Sequence, residues 1–205
     1  METKSKVFVP LAVGFCMIAL FLVCGCSQGT LPAWNYLDSA DHHVRSGMKL
    51  LSMGKYDDAM RDFDQAKALE SNLSGAYAGS GLVLGYRGNF REAFHDMTKA
   101  VALAKNERER IDAHVGLIRL YALGKASASP HWLERAEGVY EMVIESSPEN
   151  SAAHYFVGEA YREAGDFQKA KELFRKVLDI DGTYVVEAQN KLSLIEKIQR
   201  ETEGL

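Results

Sequence analysis

From Ala40 onward, apolar residues return at the three-to-four spacing that lays one side of an α-helix against a core, in short runs broken by glycine. The runs come in pairs. Gly54-Lys55-Tyr56-Asp57-Asp58-Ala59 recurs as Gly88-Asn89-Phe90-Arg91-Glu92-Ala93 and again as Gly165-Asp166-Phe167-Gln168-Lys169-Ala170, the first two copies lying 34 residues apart. Each copy puts a turn glycine ahead of an aromatic residue, with alanine three positions further on. The pattern before Ala40 is different: Lys4 and Lys6 precede 17 uncharged residues, 7–23, and no charged side chain follows until Asp38.

A period of 34 with this order of residues resembles the tetratricopeptide repeat, a helix-turn-helix unit that stacks into a solenoid. The resemblance frames units at residues 40–73, 74–107 and 151–184, with a longer unit at 111–150 between them. Small residues at fixed positions let the two helices of a unit, A and B, approach closely, and one large side chain fills the space left. In the first unit these are Gly47, Ala59, Ala66 and Phe63. The second has Gly81, Ala93, Ala100 and Met97, and the last has Gly158, Ala170, Val177 and Phe174. The 111–150 unit is irregular. Ala136, Tyr140, Val143 and Pro148 suit its helix B, but Ile118 stands where the other units carry a small residue. The loop 124–130 is also long, with Ser129-Pro130 expected to cap and start the next helix. Residues 185–205 carry Val185, Ala188, Leu192, Ile195 and Ile198 on one side and read as a capping helix. The expected fold is all-α, a helical-hairpin solenoid of about four repeats closed by that helix.

The uncharged run 7–23 is an export signal in outline, at the lower limit for crossing a bilayer and weakened as a permanent helix by Pro10 and Gly14. Leu22-Val23-Cys24-Gly25-Cys26 resembles a bacterial lipoprotein lipobox, in which a small residue precedes the cysteine that is lipidated before cleavage. Cys26 fits because Gly25 precedes it, and Cys24 does not because Val23 is bulky. The resemblance thus implies a signal peptide at 1–25, a lipidated N-terminus and spacer at 26–39, and a palmitate-bearing membrane anchor. Ser27 after the cysteine is what it associates with the periplasmic face of the outer membrane. The alternative is an uncleaved anchor in the inner membrane, serving a secretion or cytochrome assembly system.

Composition narrows the function. The 24 basic and 28 acidic residues give a formal charge of −4 with no long run of either sign, which removes the usual electrostatic basis for nucleic-acid binding. All three cysteines fall in the first 26 residues, so the repeats hold neither disulfide nor cysteine metal site. No metalloprotease, nucleophile-elbow or phosphate-loop motif occurs. Gly79, Gly81 and Gly85 have the wrong spacing for a nucleotide loop, and the adjacent His42 and His43 point about 100° apart on a helix. No enzyme, cofactor, metal or small-molecule substrate is expected.

What remains is the groove that A helices line in the resembled family, which predicts Val44, Met48, Leu51, Leu82, Tyr86, Arg119, Tyr155, Glu159 and Arg162 as a protein-binding surface. Met48, Leu82, Tyr86 and Tyr155 would serve either as anchors for a docked segment or as seals between repeats. The lysine and asparagine clamp of chaperone-binding members is missing. The family's envelope tasks include pilus assembly, placed first here, barrel assembly and recruitment of cell-wall hydrolases. Cys26→Ala is expected to accumulate as an unprocessed precursor that takes up no labelled palmitate. Normal processing and lipidation of that variant, read by intact mass, would refute the lipobox.

Overall fold

The computed structural model describes residues 39–203, and the expected signal peptide, Cys26 and most of the spacer lie outside them. Among the described residues there are nine α-helices and no strand: α1 (Ala40–Ser52), α2 (Tyr56–Leu69), α3 (Ser74–Tyr86), α4 (Phe90–Leu103), α5 (Glu107–Gly124), α6 (Trp132–Ser146), α7 (Ser151–Ala164), α8 (Phe167–Ile180) and α9 (Val185–Glu203). The all-α hairpin solenoid expected from the repeat is the fold observed. None of these helices is long and apolar enough to cross a membrane.

Each hairpin turn follows from its sequence. Gly54, Gly88 and Gly165 all have φ between +71° and +85°, backbone that an L side chain rarely adopts, and each stands between the A and B helices of its unit. The unit at 111–150 has Gly124 at the end of its A helix, but with φ −84° it makes no left-handed turn. There α5 passes into a 3-10 turn at Lys125–Ser127, and Lys125 itself takes φ +48°. Two boundaries differ from the expected ones. The helix α5 begins at Glu107, four residues ahead of the expected frame, because the Asn106 side chain caps the Glu109 amide at 2.9 Å while the Glu109 carboxylate accepts from Lys105 N at 2.9 Å. In α6 the first residue is Trp132, since the Ser129 hydroxyl accepts from His131 N in a tight turn and does not cap the helix.

Close A–B approach dominates the packing. A methyl added to Gly79 would lie 2.1 Å from the ring of the fully buried Phe63, and one added to Gly47 would lie 2.7 Å from the same ring. Gly116 faces Met97 as closely, so α5 meets α4 through a small residue two positions before the fully buried Ile118. The A helices α1, α3, α5 and α7 pack on one another in sequence, whereas B helices make their extensive contacts with A helices and, for α8, with the capping helix α9. A stack joined more tightly on its A side bends toward that side and leaves the A helices lining a concavity. The apolar core forms two clusters. One gathers Leu51, Phe63, Leu82, Met97 and Leu120, and the other gathers Ile118, Val143, Phe156, Phe174 and Ile195, so both draw on α5.

One polar side chain is built into the second cluster. His154 has no exposed surface, and its Nε2 lies 2.9 Å from the carbonyl oxygen of Pro148, which can only accept. Nε2 therefore carries the proton, and Nδ1 accepts from the Tyr140 hydroxyl at 2.9 Å, tying α7 to α6. Burial holds the imidazole below its ordinary pKa, with Lys176 acting in the same direction against the Pro148 bond.

Two tests follow from this packing. Gly79→Ala should destabilise by about 1–3 kcal/mol through overpacking against Phe63, and exposed Gly138→Ala, with nothing within 4 Å, should stabilise by up to about 1 kcal/mol. Thermal melts of the two variants check the signs. His154 binds a proton less readily folded than unfolded, so its contribution is complete above about pH 6.5 and falls away as pH drops below that value. The melting-temperature gap between wild type and His154→Gln should narrow between pH 7.5 and 5.5.

Candidate functional site

The concavity is a groove of two adjoining hollows. The larger, about 680 Å³, is walled by Val44 and Met48 of α1, Leu82 of α3, Val115 and Arg119 of α5, and Phe156 of α7. The smaller, about 340 Å³, is bounded by Tyr86, Leu123, Tyr155, Glu159, Arg162 and Glu163. Arg119, Phe156 and Tyr184 belong to both, so they form the waist between them. These positions follow from helical spacing: Val44 and Met48 are one turn apart on α1, as Leu82 and Tyr86 are on α3.

The groove residues read from the sequence divide by burial. Met48, at 42% exposure, offers open apolar surface, and Val44 stands beside it half-buried. Leu82 and Tyr155 present an edge to a hollow but are 5% and 7% exposed, so they chiefly seal neighbouring repeats. Leu51 lines neither hollow. It shares the α1 face of Val44, seven residues earlier, but its side chain is covered by its neighbours in the first core cluster.

Asp112, at a groove-facing position of its repeat and two turns before Arg119 on α5, lines the larger hollow as that position predicts. Two aromatic groove-lining residues were not legible as such. Phe156 follows the expected Tyr155 in sequence. Tyr184 falls between α8 and α9 with φ +66°, an uncommon conformation for a bulky residue. Its ring stacks on Tyr155 with centroids 4.8 Å apart and meets Phe156 edge-on at 5.0 Å. A tyrosine that closes a repeat carries no sign of this role, since the left-handed backbone that turns it into the groove comes from the α8–α9 connection.

Electrostatics differ along the groove. Around the smaller hollow the charges pair with one another: Arg162 bonds Glu159 at 3.1 Å and also Glu163, Lys191 reaches Glu159 at 2.7 Å, and Lys125 pairs with Glu163. Burial alone would raise Glu163, but Lys125 and Arg162 outweigh it and hold the carboxyl below the usual range. Burial raises the hydroxyls of Tyr155 and Tyr184, keeping both neutral. Among the described residues, no group of three or more His, Cys, Asp or Glu side chains gathers to hold a metal ion.

A tetratricopeptide repeat model matches residues 151–184. The fold is a tetratricopeptide-repeat solenoid. The crystal structure of a thermophilic TPR protein of Thermus thermophilus superposes with a TM-score of 0.67 at 19% identity, over 78% of this chain and 83% of that one. Yeast Tom70 matches at a TM-score of 0.50 and 15% identity, over 80% of this chain and 41% of its own length. MamA from Desulfovibrio magneticus RS-1 gives 0.49 and 20%, over 82% and 89%. No curated protein matches the chain in sequence. TPR solenoids are scaffolds for protein–protein interaction, and in this one the A helices present the concave surface such scaffolds use.

Proposed function

We propose that this protein is a lipid-anchored scaffold, holding a segment of a partner protein in its TPR groove and so assembling or positioning an envelope complex of a bacterium. The observation that carries the reading is the groove itself. Four A helices line one continuous hollow whose apolar wall stays open at Met48 and Val44 among the described residues. Large apolar side chains in a concave, partly polar setting are the usual anchors for a docked segment.

The anchor is read from Gly25-Cys26 behind the uncharged run 7–23. Two or three acyl chains on Cys26 would hold the protein firmly, because each buried methylene contributes about 0.8 kcal/mol and one chain alone binds only marginally. With Ser27 following, the proposed location is the periplasmic face of the outer membrane, the spacer joining lipid to solenoid. The work is done by affinity and not by turnover. Pilus assembly is the first pathway to examine.

Met48→Glu, at an exposed position, should leave the melting temperature unchanged. It should also remove a near-stoichiometric partner that co-purifies with the tagged wild type from detergent-solubilised envelopes, read by mass spectrometry. Retention of that partner by the variant would move binding off the groove.

A further inference from the structure

At the waist of the groove, Arg119 lies among aromatic rings, and among the described residues no carboxylate stands in ion-pair distance of it. Its guanidinium carbon sits 5.0 Å from the centroid of Tyr86 and 4.9 Å from that of Phe156; Nε donates to the Tyr86 hydroxyl at 2.9 Å, and one terminal nitrogen donates to the same oxygen. Guanidinium has five N–H groups, so most remain available to a ligand. The contrast with Arg162, in the adjoining hollow and ion-paired to two glutamates, sets Arg119 apart. The aromatic collar fixes the direction of the guanidinium in advance, which lowers the ordering cost of an anion that lands on it.

Asp112 lies on the same face of α5, seven residues earlier and about 10 Å along the helix axis. Among the described residues no basic group comes within ion-pair distance of it. Partial burial pushes its carboxyl up, Glu109 adds to the rise, and Arg108 on the preceding turn opposes it. Glu149 borders the same hollow. The larger hollow is therefore apolar along its length, cationic at the waist and anionic toward Asp112.

Building on the scaffold reading above, we propose that the groove takes an internal, extended stretch of partner protein with an acidic side chain seated on Arg119, a basic one toward Asp112, and apolar residues between. Polyproline-II chain rises about 3.1 Å per residue and returns to the same face every third residue, so an acid and a base about three positions apart span the interval. The groove continues past Arg119 into the smaller hollow, which leaves room for chain on both sides and favours an internal side chain over a terminus.

The test uses full-length protein in detergent micelles and a library of acetylated, amidated decapeptides with randomised central positions. Recovered peptides should carry Asp or Glu about three places from Lys or Arg. Arg119→Gln should weaken them about tenfold or more, and Arg119→Lys by less. A peptide with the acid replaced by its amide should lose little further on Arg119→Gln, an outcome that a purely packing role for Arg119 would not produce. Asp112→Asn should remove only the preference for the basic residue. Peptides without an acidic preference, an acidic preference that survives Arg119→Gln, or binding confined to a parallel library with free C-termini would overturn the inference. If those peptides still weaken with Met48→Glu, the groove reading stands without it. Recovery of no peptide, or of peptides indifferent to Met48→Glu, would overturn both.

Discussion

The whole arrangement rests on how closely an A helix can approach its B helix. Phe63 fills the space over Gly47 and Gly79 so completely that neither tolerates a methyl group without displacement of the ring. The same device recurs with Gly158 under Phe174, and in a variant form with Gly81 against the backbone of α4. The contacts act as a gauge. They set the distance between helices within a hairpin and the offset of each hairpin on the next, and through these the curvature that brings α1, α3, α5 and α7 around one hollow.

This constraint is local and repeats, which is why most of the fold could be read from residues alone. A glycine turn, an aromatic and an alanine three places on mark each regular hairpin, and the left-handed conformations of Gly54, Gly88 and Gly165 are what that spelling requires. Legibility ended where the repeat did. The capping box of Asn106 and Glu109 moved the start of α5 ahead of its frame, and an alignment built on packing positions has no place for a cap. Site residues behaved likewise. Val44, Met48 and Arg119 reach the groove by periodicity, while Leu51 is covered by its neighbours in the core and Tyr184 is delivered by a strained connection outside any helix.

The groove also shows how one surface can have two electrostatic characters. The pairs formed by Lys125, Arg162 and Lys191 with Glu159 and Glu163 are partly sheltered from solvent and hold their own geometry. Each of their cations is already engaged by a carboxylate. Arg119 is held by the faces of aromatic rings, which orient a cation without neutralising it. Charge that is positioned but uncompensated is what confers selectivity on an otherwise apolar hollow.

The division of the core into two clusters that meet at α5 has a consequence for cooperativity. Repeat proteins fold as coupled neighbours, and here Ala113 and Leu120 commit one face of α5 to the N-terminal block while Ile118 commits another to the C-terminal block. The two core clusters thus meet at a single helix, whose exit is a 3-10 turn where the other hairpins have a left-handed glycine. Because the walls of the larger hollow come from both blocks, that hollow exists only while they are docked in register. Occupancy of the groove and coupling of the blocks are linked equilibria: a ligand spanning the waist adds its binding energy to the joint at α5, and any loosening of that joint is felt as lost affinity.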